Sequence, residues 1–277
     1  MKDGRALVLG SCGPGNGAYL AGVTATLCTK LGPDYFNGLY GSSVGVYPIT
    51  FYASNQPETI KNTWLNLSPG FKLINPLNPL RGKKILDLQY MIDIFQNEKS
   101  RLDVKKVFDY KKVLVYTLTD HNSGSAVYVE PNQENIFKYM IASAALPFVH
   151  GPVEIDGQKY IYGGLADPLP VVKALNDGWK EIVVVWHRPQ NAAVTKTSHL
   201  FWNIISRFLP PHLSKLLRTS WKKIETIEGL METDSRITII CPQKELPIKF
   251  TLDNRRSLWI KAFNLGEEDA LHFLKTI

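Results

Sequence analysis

The chain has 277 residues, a formal net charge of +7, a sequence pI near 9.1 and 44% hydrophobic residues. That length and apolar content suit one large α/β domain or two small ones and exclude a chain too polar to bury a core. Three cysteines, Cys12, Cys28 and Cys241, cannot all pair within one chain and have no metal-ligand spacing, so a reducing compartment, no metal and no cofactor are expected.

Arg5 to Leu9 reads as an apolar strand. It runs into a glycine cluster, Gly10 to Gly17, which opens a helix with Leu20, Val23, Leu27 and Leu31 on one face and ends at Gly32-Pro33. Such a turn offers bare backbone N–H groups and the positive end of a helix dipole, which suit a phosphate or a developing oxyanion. A nucleotide site is the weaker alternative: the spacing G-x-G-x-x-G is not met, and no acidic residue closes a second strand about twenty residues later.

A second short strand, Phe36 to Tyr40, leads into Gly41-Ser42-Ser43-Val44-Gly45 and then an apolar helix from Val44 to Ala53. This is the strand-turn-helix setting in which G-x-S-x-G exposes a reactive serine, so Ser43 is the expected nucleophile. A loop of small residues is the ordinary reading of the pentapeptide alone, and the flanks are what separate the two. Pro48 falls inside the following helix and is expected to kink its first turns.

Further strands are expected at 112–119, 125–130, 152–155, 158–162, 181–187 and 236–241, with Asp156-Gly157 as a hairpin turn. The runs Val113 to Leu118 and Ile182 to Trp186 are apolar throughout, as strands buried on both faces should be. Basic residues gather at Arg81-Gly82-Lys83-Lys84, at Lys105-Lys106 with Lys111-Lys112, and across 196–223. In that last segment Phe201, Trp202, Phe208, Leu213, Leu217 and Trp221 interleave with the cations around a break at Pro210-Pro211. Two amphipathic helices there would suit an anionic membrane surface or a lid over an acyl pocket; ordinary packing on the sheet gives the same stripe.

Arg5-Ala6-Leu7-Val8-Leu9, the glycine cluster, Ala18 to Val23 and the Gly41 to Gly45 elbow together resemble the patatin-like phospholipases. The likeness resumes at Ala142 to Phe148, Pro152 to Gly157 and Gly163 to Val171, in the family's order over residues 5 to about 175; residues 176–277 would complete the sheet and add surface or lid helices. The resemblance implies a single three-layer α/β/α domain spanning 1–277, with a mainly parallel sheet. It also implies a lipid acyl hydrolase with a Ser-Asp dyad and a glycine-loop oxyanion hole, here Gly13, Gly15, Asn16 and Gly17.

Three departures bear on that chemistry. Tyr162 stands where the family's dyad aspartate precedes two glycines, here Gly163-Gly164, and a phenol with a pKa near 10 is a poor base at neutral pH. Asn16 stands where the family carries a basic residue, and the loop is one residue longer, with Pro14 lacking an N–H. The third departure is Pro48.

Asp167 is the candidate substitute base, although its ordinary role would be to cap a helix starting at Pro168. Among the six histidines, His150 and His187 fall where a pocket mouth is expected, while a structural role is the commoner one for any single histidine. The expected partner is a lipid or acyl-ester substrate, with peripheral contact to an anionic membrane surface and no specific nucleic acid, since no recognition motif accompanies the charge. Met1-Lys2-Asp3-Gly4 leads straight into the first strand and no apolar run nears about 20 residues, so no signal peptide or span is expected and the location is cytoplasmic or peripheral to a membrane. Opposed to the hydrolase stands a second reading, a catalytically inactive pseudo-hydrolase that keeps the pocket to bind a lipid or a protein.

Overall fold

A computed structural model describes residues 2–97, 100–109, 112–190, 192, 206–248, 250 and 252–277. In chain order, β1 (Lys2–Leu9), α1 (Gly13–Leu31), β2 (Gly38–Ser42) and α2 (Val46–Ala53) come first, then the helices α3 (Pro57–Asn62), α4 (Leu88–Gln96) and α5 (Val104–Asp109). The middle of the chain forms β3 (Val113–Asp120), β4 (Ala126–Val129), α6 (Ile136–Ala144), β5 (Val153–Ile155) and β6 (Gln158–Ile161). After these come α7 (Val171–Asn176), β7 (Trp179–Val185), α8 (Pro211–Thr233), β8 (Ile237–Ile240) and α9 (Arg256–Phe273). All eight expected strands are present, with small shifts at their ends.

They form one mixed sheet in the order β5-β6-β3-β2-β1-β7-β8, with β4 also paired to β3. The β8-β7-β1-β2-β3 stretch is parallel, whereas β3-β4, β3-β6 and β5-β6 are antiparallel. Successive side chains of the parallel strands enter opposite cores, as the two-residue period requires. Leu7, Leu9, Leu39 and Val183 meet α1, α2, α4 and α9 on one face, while Ala6, Val8, Tyr40 and Val184 meet α7 and α8 on the other. Both faces are therefore covered by helices, which is why these strands read as unbroken apolar runs. Tyr19 of α1 donates to Asp269 of α9 at 2.7 Å, tying the first helix to the last.

The register of β3 places the site. Residues 113–117 pair with β2 and residues 116–119 with β4, so those two strands lie on opposite edges of β3. Since β6 pairs with Thr119 and Asp120, and β4 already holds the edge opposite β2 there, β6 continues the edge that β2 leaves. The chain leaving β6 at Ile161 thus runs directly into the end of β2, at Ser42 and Ser43.

Three expectations about prolines and caps change. Ser43–Gly45 forms a 3-10 turn and α2 begins only at Val46, so Pro48 sits in the first helical turn, where its missing N–H interrupts no ladder bond. The first of the two amphipathic helices lies outside the described residues; the second is one long helix, α8, that Pro210-Pro211 starts instead of breaking. Asp167 does not cap a helix at Pro168, because α7 begins at Val171; its Oδ1 accepts the Leu169 N–H at 3.2 Å within a short turn. The Asp156-Gly157 hairpin is as expected, with φ of +51 and +78.

Candidate active site

The C-terminal ends of the parallel strands share one edge of the sheet, and the chains leaving β1, β2 and β7 there contribute to a single cavity of about 250 Å³. Ser11 and Cys12 arrive from β1, Ser43 from β2, and His187 from β7. Crevices at this edge of parallel sheets are the usual ligand sites of α/β proteins.

Ser43 stands at the apex of the elbow with φ +57, a left-handed backbone that a non-glycine residue adopts at a cost. The turn is tight enough that a Cβ on Gly45 would meet the Leu9 carbonyl oxygen at 2.7 Å. Ser43 N–H donates to the buried Ser143 hydroxyl at 2.8 Å. The side chain of Ser43 is nearly enclosed but lines the cavity.

Tyr162 follows β6 and faces the same space. Its N–H donates to the Ala145 carbonyl at 3.0 Å, and its carbonyl accepts from the Thr119 hydroxyl at 2.8 Å. Pinned between the end of α6 and the middle of the sheet, its ring is fixed with the phenol against Ser11 and Ser43. Burial pushes the phenol pKa above its ordinary 10.0, an effect that hydrogen bonding with the Ser11 and Ser43 side chains opposes. A raised pKa keeps the group a neutral phenol at physiological pH, unable to hold the proton of a serine.

Asp167, the proposed substitute, does not line this cavity. Its carboxylate accepts from the Tyr128 hydroxyl at 2.8 Å and borders a separate depression with Lys223. Burial raises its pKa, opposed by the Tyr128 and Leu169 hydrogen bonds and by the Lys223 charge. What reaches the elbow from Asp167 is only its carbonyl, which accepts from the Ser42 hydroxyl at 2.9 Å. Among the described residues no carboxylate lines the Ser43 cavity.

The four oxyanion candidates divide. The helix starts at Gly13 with Cys12 as its N-cap, so the unbonded N–H groups are those of Cys12, Gly13 and Gly15, while Asn16 and Gly17 lie where the intrahelical ladder has begun. Gly13 and Asn16 line the cavity; Gly15 packs on Ile248 and Trp259, and Gly17 on Val44. The Asn16 Oδ1 is buried without a partner. Cys12 is held as a neutral thiol by burial.

Among the described residues His187 is the one histidine on the cavity, its ring set edge-on against Trp186 at 4.5 Å and its Nδ1 buried without a partner. Burial, and then the neighbouring Arg188, depress its pKa to about 3, so the imidazole is neutral. Arg188 also reaches the cavity and pairs with Glu228 at 3.2 Å. His150 lies elsewhere, beside Lys84; His199 is outside the described residues. From α8, Leu217, Ser220 and Ile224 wall the cavity, and Tyr47, Trp64, Met91 and Trp259 make its apolar side. Among the described residues no group of three or more His, Cys, Asp or Glu side chains is placed to hold a metal, and no helix is long and apolar enough to cross a membrane.

Sequence reasoning missed two residues, Ser11 and Ser143. Ser143 was visible only as a small residue in Ala142-Ser143-Ala144-Ala145, and its signal was that a polar side chain stands among alanines on an apolar helix face.

An eight-stranded sheet with helices on both faces and a strained serine elbow at its C-terminal edge define an α/β protein with a serine-elbow pocket. Residues 7–175 match the Patatin family, described as patatin-like phospholipase, and the chain belongs to that family. The uncharacterized protein YjjU of Escherichia coli (strain K12) is 24% identical over 288 residues, covering 100% of this chain and 79% of YjjU. The crystal structure of VipD from Legionella pneumophila shares the fold, with a TM-score of 0.50 and 11% identity over 99% of this chain; this chain spans 66% of the VipD chain.

Proposed function

We propose that this protein is a slow lipid acyl hydrolase that uses Ser43 as its nucleophile. The observation that carries the reading is Ser43 at φ +57, turned into an apolar cavity beside the N-terminus of α1. In this reading Ser43 Oγ bonds to the ester carbonyl carbon, the ester C–O bond breaks, and the serine proton leaves with the alcohol. Water then cleaves the acyl-serine ester and releases the fatty acid. The free N–H of Gly13 and the positive end of α1 favour the negative charge on the tetrahedral intermediate. Tyr47, Trp64 and Met91 give an acyl chain an apolar surface.

What limits turnover is the base. With Tyr162 as a neutral phenol and His187 depressed to about 3, the cavity holds, among the described residues, no group matched to take the serine proton at neutral pH. The same observation supports the second reading, a pseudo-hydrolase that binds lipid without turning it over.

Release of p-nitrophenol from acyl esters, and of fatty acid from phospholipid vesicles, tests both with Ser43→Ala and Tyr162→Asp. Slow hydrolysis that Ser43→Ala abolishes and Tyr162→Asp accelerates is the expected result. Activity only in Tyr162→Asp selects the pseudo-hydrolase, and inactivity of all three proteins removes the hydrolase reading.

A further inference from the structure

Three loops surround the mouth of the Ser43 cavity, and each repeats one arrangement. A leucine that lines the cavity stands two residues from a phenylalanine exposed to solvent: Leu73 with Phe71, Leu146 with Phe148, and Leu252 with Phe250. The exposures are 69%, 49% and 71%, far from the burial that large aromatic side chains ordinarily reach. Leu77 and Leu80 on the first loop are exposed as well, the latter at 85%.

The loops are tied into one rim. Leu86 N–H donates to the Val149 carbonyl at 3.3 Å, and the Asn254 side chain donates to the Ile74 carbonyl at 3.1 Å. Phe148 holds φ +70, a backbone state that a bulky residue almost never adopts. Its ring is not buried in return for that strain. A strained residue kept with its apolar side chain in water is a mark of function more than of folding.

Charge completes the pattern. Between Pro69 and Leu86 the chain carries Lys72, Arg81, Lys83 and Lys84 and no acidic residue. Lys84 lies 3.3 Å from the His150 ring, which joins this basic stretch to the loop that carries Phe148. Exposed aromatic and aliphatic side chains set among lysines are what shallow insertion into an anionic lipid surface requires. A protein partner would be met by the same apolar groups, but would not explain why the exposed rings continue inward as the leucines of an acyl-sized cavity.

We infer that the rim formed by Phe71, Leu77, Leu80, Phe148 and Phe250, with Lys72, Arg81, Lys83 and Lys84, docks the protein on an anionic membrane so that a lipid chain passes from bilayer to cavity without crossing water. This rests on the lipid reading of the cavity. It places the membrane-facing surface on these three loops, whereas the sequence suggests the segment 196–223.

Flotation with vesicles of phosphatidylcholine, alone or mixed with phosphatidylglycerol, tests the surface in the full chain. The parent is expected to bind the mixed vesicles and to lose binding in high salt. The double variant Lys83→Glu/Lys84→Glu should bind about 10- to 100-fold more weakly, and Phe71→Ser/Leu80→Ser should weaken binding by a similar factor. Because all four side chains are exposed, both variants should keep the parent's thermal midpoint and its rate on a soluble short-chain ester. Vesicle binding unchanged in both variants, or absent in the parent, overturns the inference, the latter leaving a protein partner as the occupant of the rim. If the parent hydrolyses no ester yet the variants lose vesicle binding, the surface stands and the hydrolase reading falls; hydrolysis with variant binding unchanged gives the reverse.

Discussion

The hydroxyl of Ser143 accepts the N–H of Ser43 at 2.8 Å and donates to the Thr117 carbonyl at 2.8 Å, so one buried side chain ties the elbow to β3. A left-handed serine persists only if its surroundings over-determine it. This bridge is one such constraint, because it fixes the elbow from a part of the chain a hundred residues away.

Replacing Ser143 with alanine leaves a buried N–H and a buried carbonyl without this partner. The expected cost is about 1–3 kcal/mol, read from urea unfolding, together with slower ester hydrolysis. Full activity in a destabilised Ser143→Ala would mean that the elbow holds its angle without the bridge.

Gly163 sits where Tyr162 turns away from β6, and a Cβ there would lie 2.0 Å from the Thr117 carbonyl oxygen. Backbone cannot yield as a flexible side chain does, so Gly163→Ala should cost about 3 kcal/mol or more. Gly157→Ala is the comparison: nothing lies within 4 Å, and its φ of +78 alone predicts about 1–2 kcal/mol. Equal losses in urea midpoints would refute the steric account.

Burial raises the Asp167 pKa above 3.8, so the folded protein prefers this carboxyl protonated. Its contribution is therefore fullest below 3.8 and is lost as pH rises through the raised value. Asp167→Asn lacks that loss. The difference in thermal midpoint, variant minus parent, should grow more positive as pH rises from about 4 to about 7, and hydrolysis should persist because Asp167 does not line the cavity. Abolished turnover would instead restore Asp167 as the base.

For His187 the sign is opposite. Its pKa falls from 6.5 to about 3, so the stability it confers is present above 6.5 and drains away as pH falls towards 3. His187→Gln should flatten the acid limb, with urea midpoints of parent and variant converging as pH drops from about 7 to about 4. A parallel offset at every pH would show that the imidazole is not buried in its neutral form.

What could be read from the chain was local. Gly41 to Gly45 and Asp156-Gly157 need particular backbone angles from a few consecutive residues, and those angles leave glycines at fixed offsets. The strands around Leu7 and Val183 showed through because both faces are buried. The contents of the cavity were not legible, since they depend on where distant segments meet. Asp167 and Tyr162 are five residues apart, yet the turn between them sends one carboxylate to Tyr128 and the other side chain to Ser43. Asn16 and Gly17 looked like loop residues because nothing short of helix phase reveals that α1 begins at Gly13. Ser143 was hidden for the same reason, its partners lying on strands far off in sequence.

Because β6 takes over the edge of β3 that β2 vacates, the identity of residue 162 is separable from the architecture that delivers it. The Ala145 and Thr119 contacts involve only its backbone, so the bonds that carry residue 162 to the cavity do not depend on the phenol. If Ser43 is the nucleophile we propose, exchanging the side chain at 162 alone should alter what faces its hydroxyl while the two backbone bonds that hold the turn stay in place.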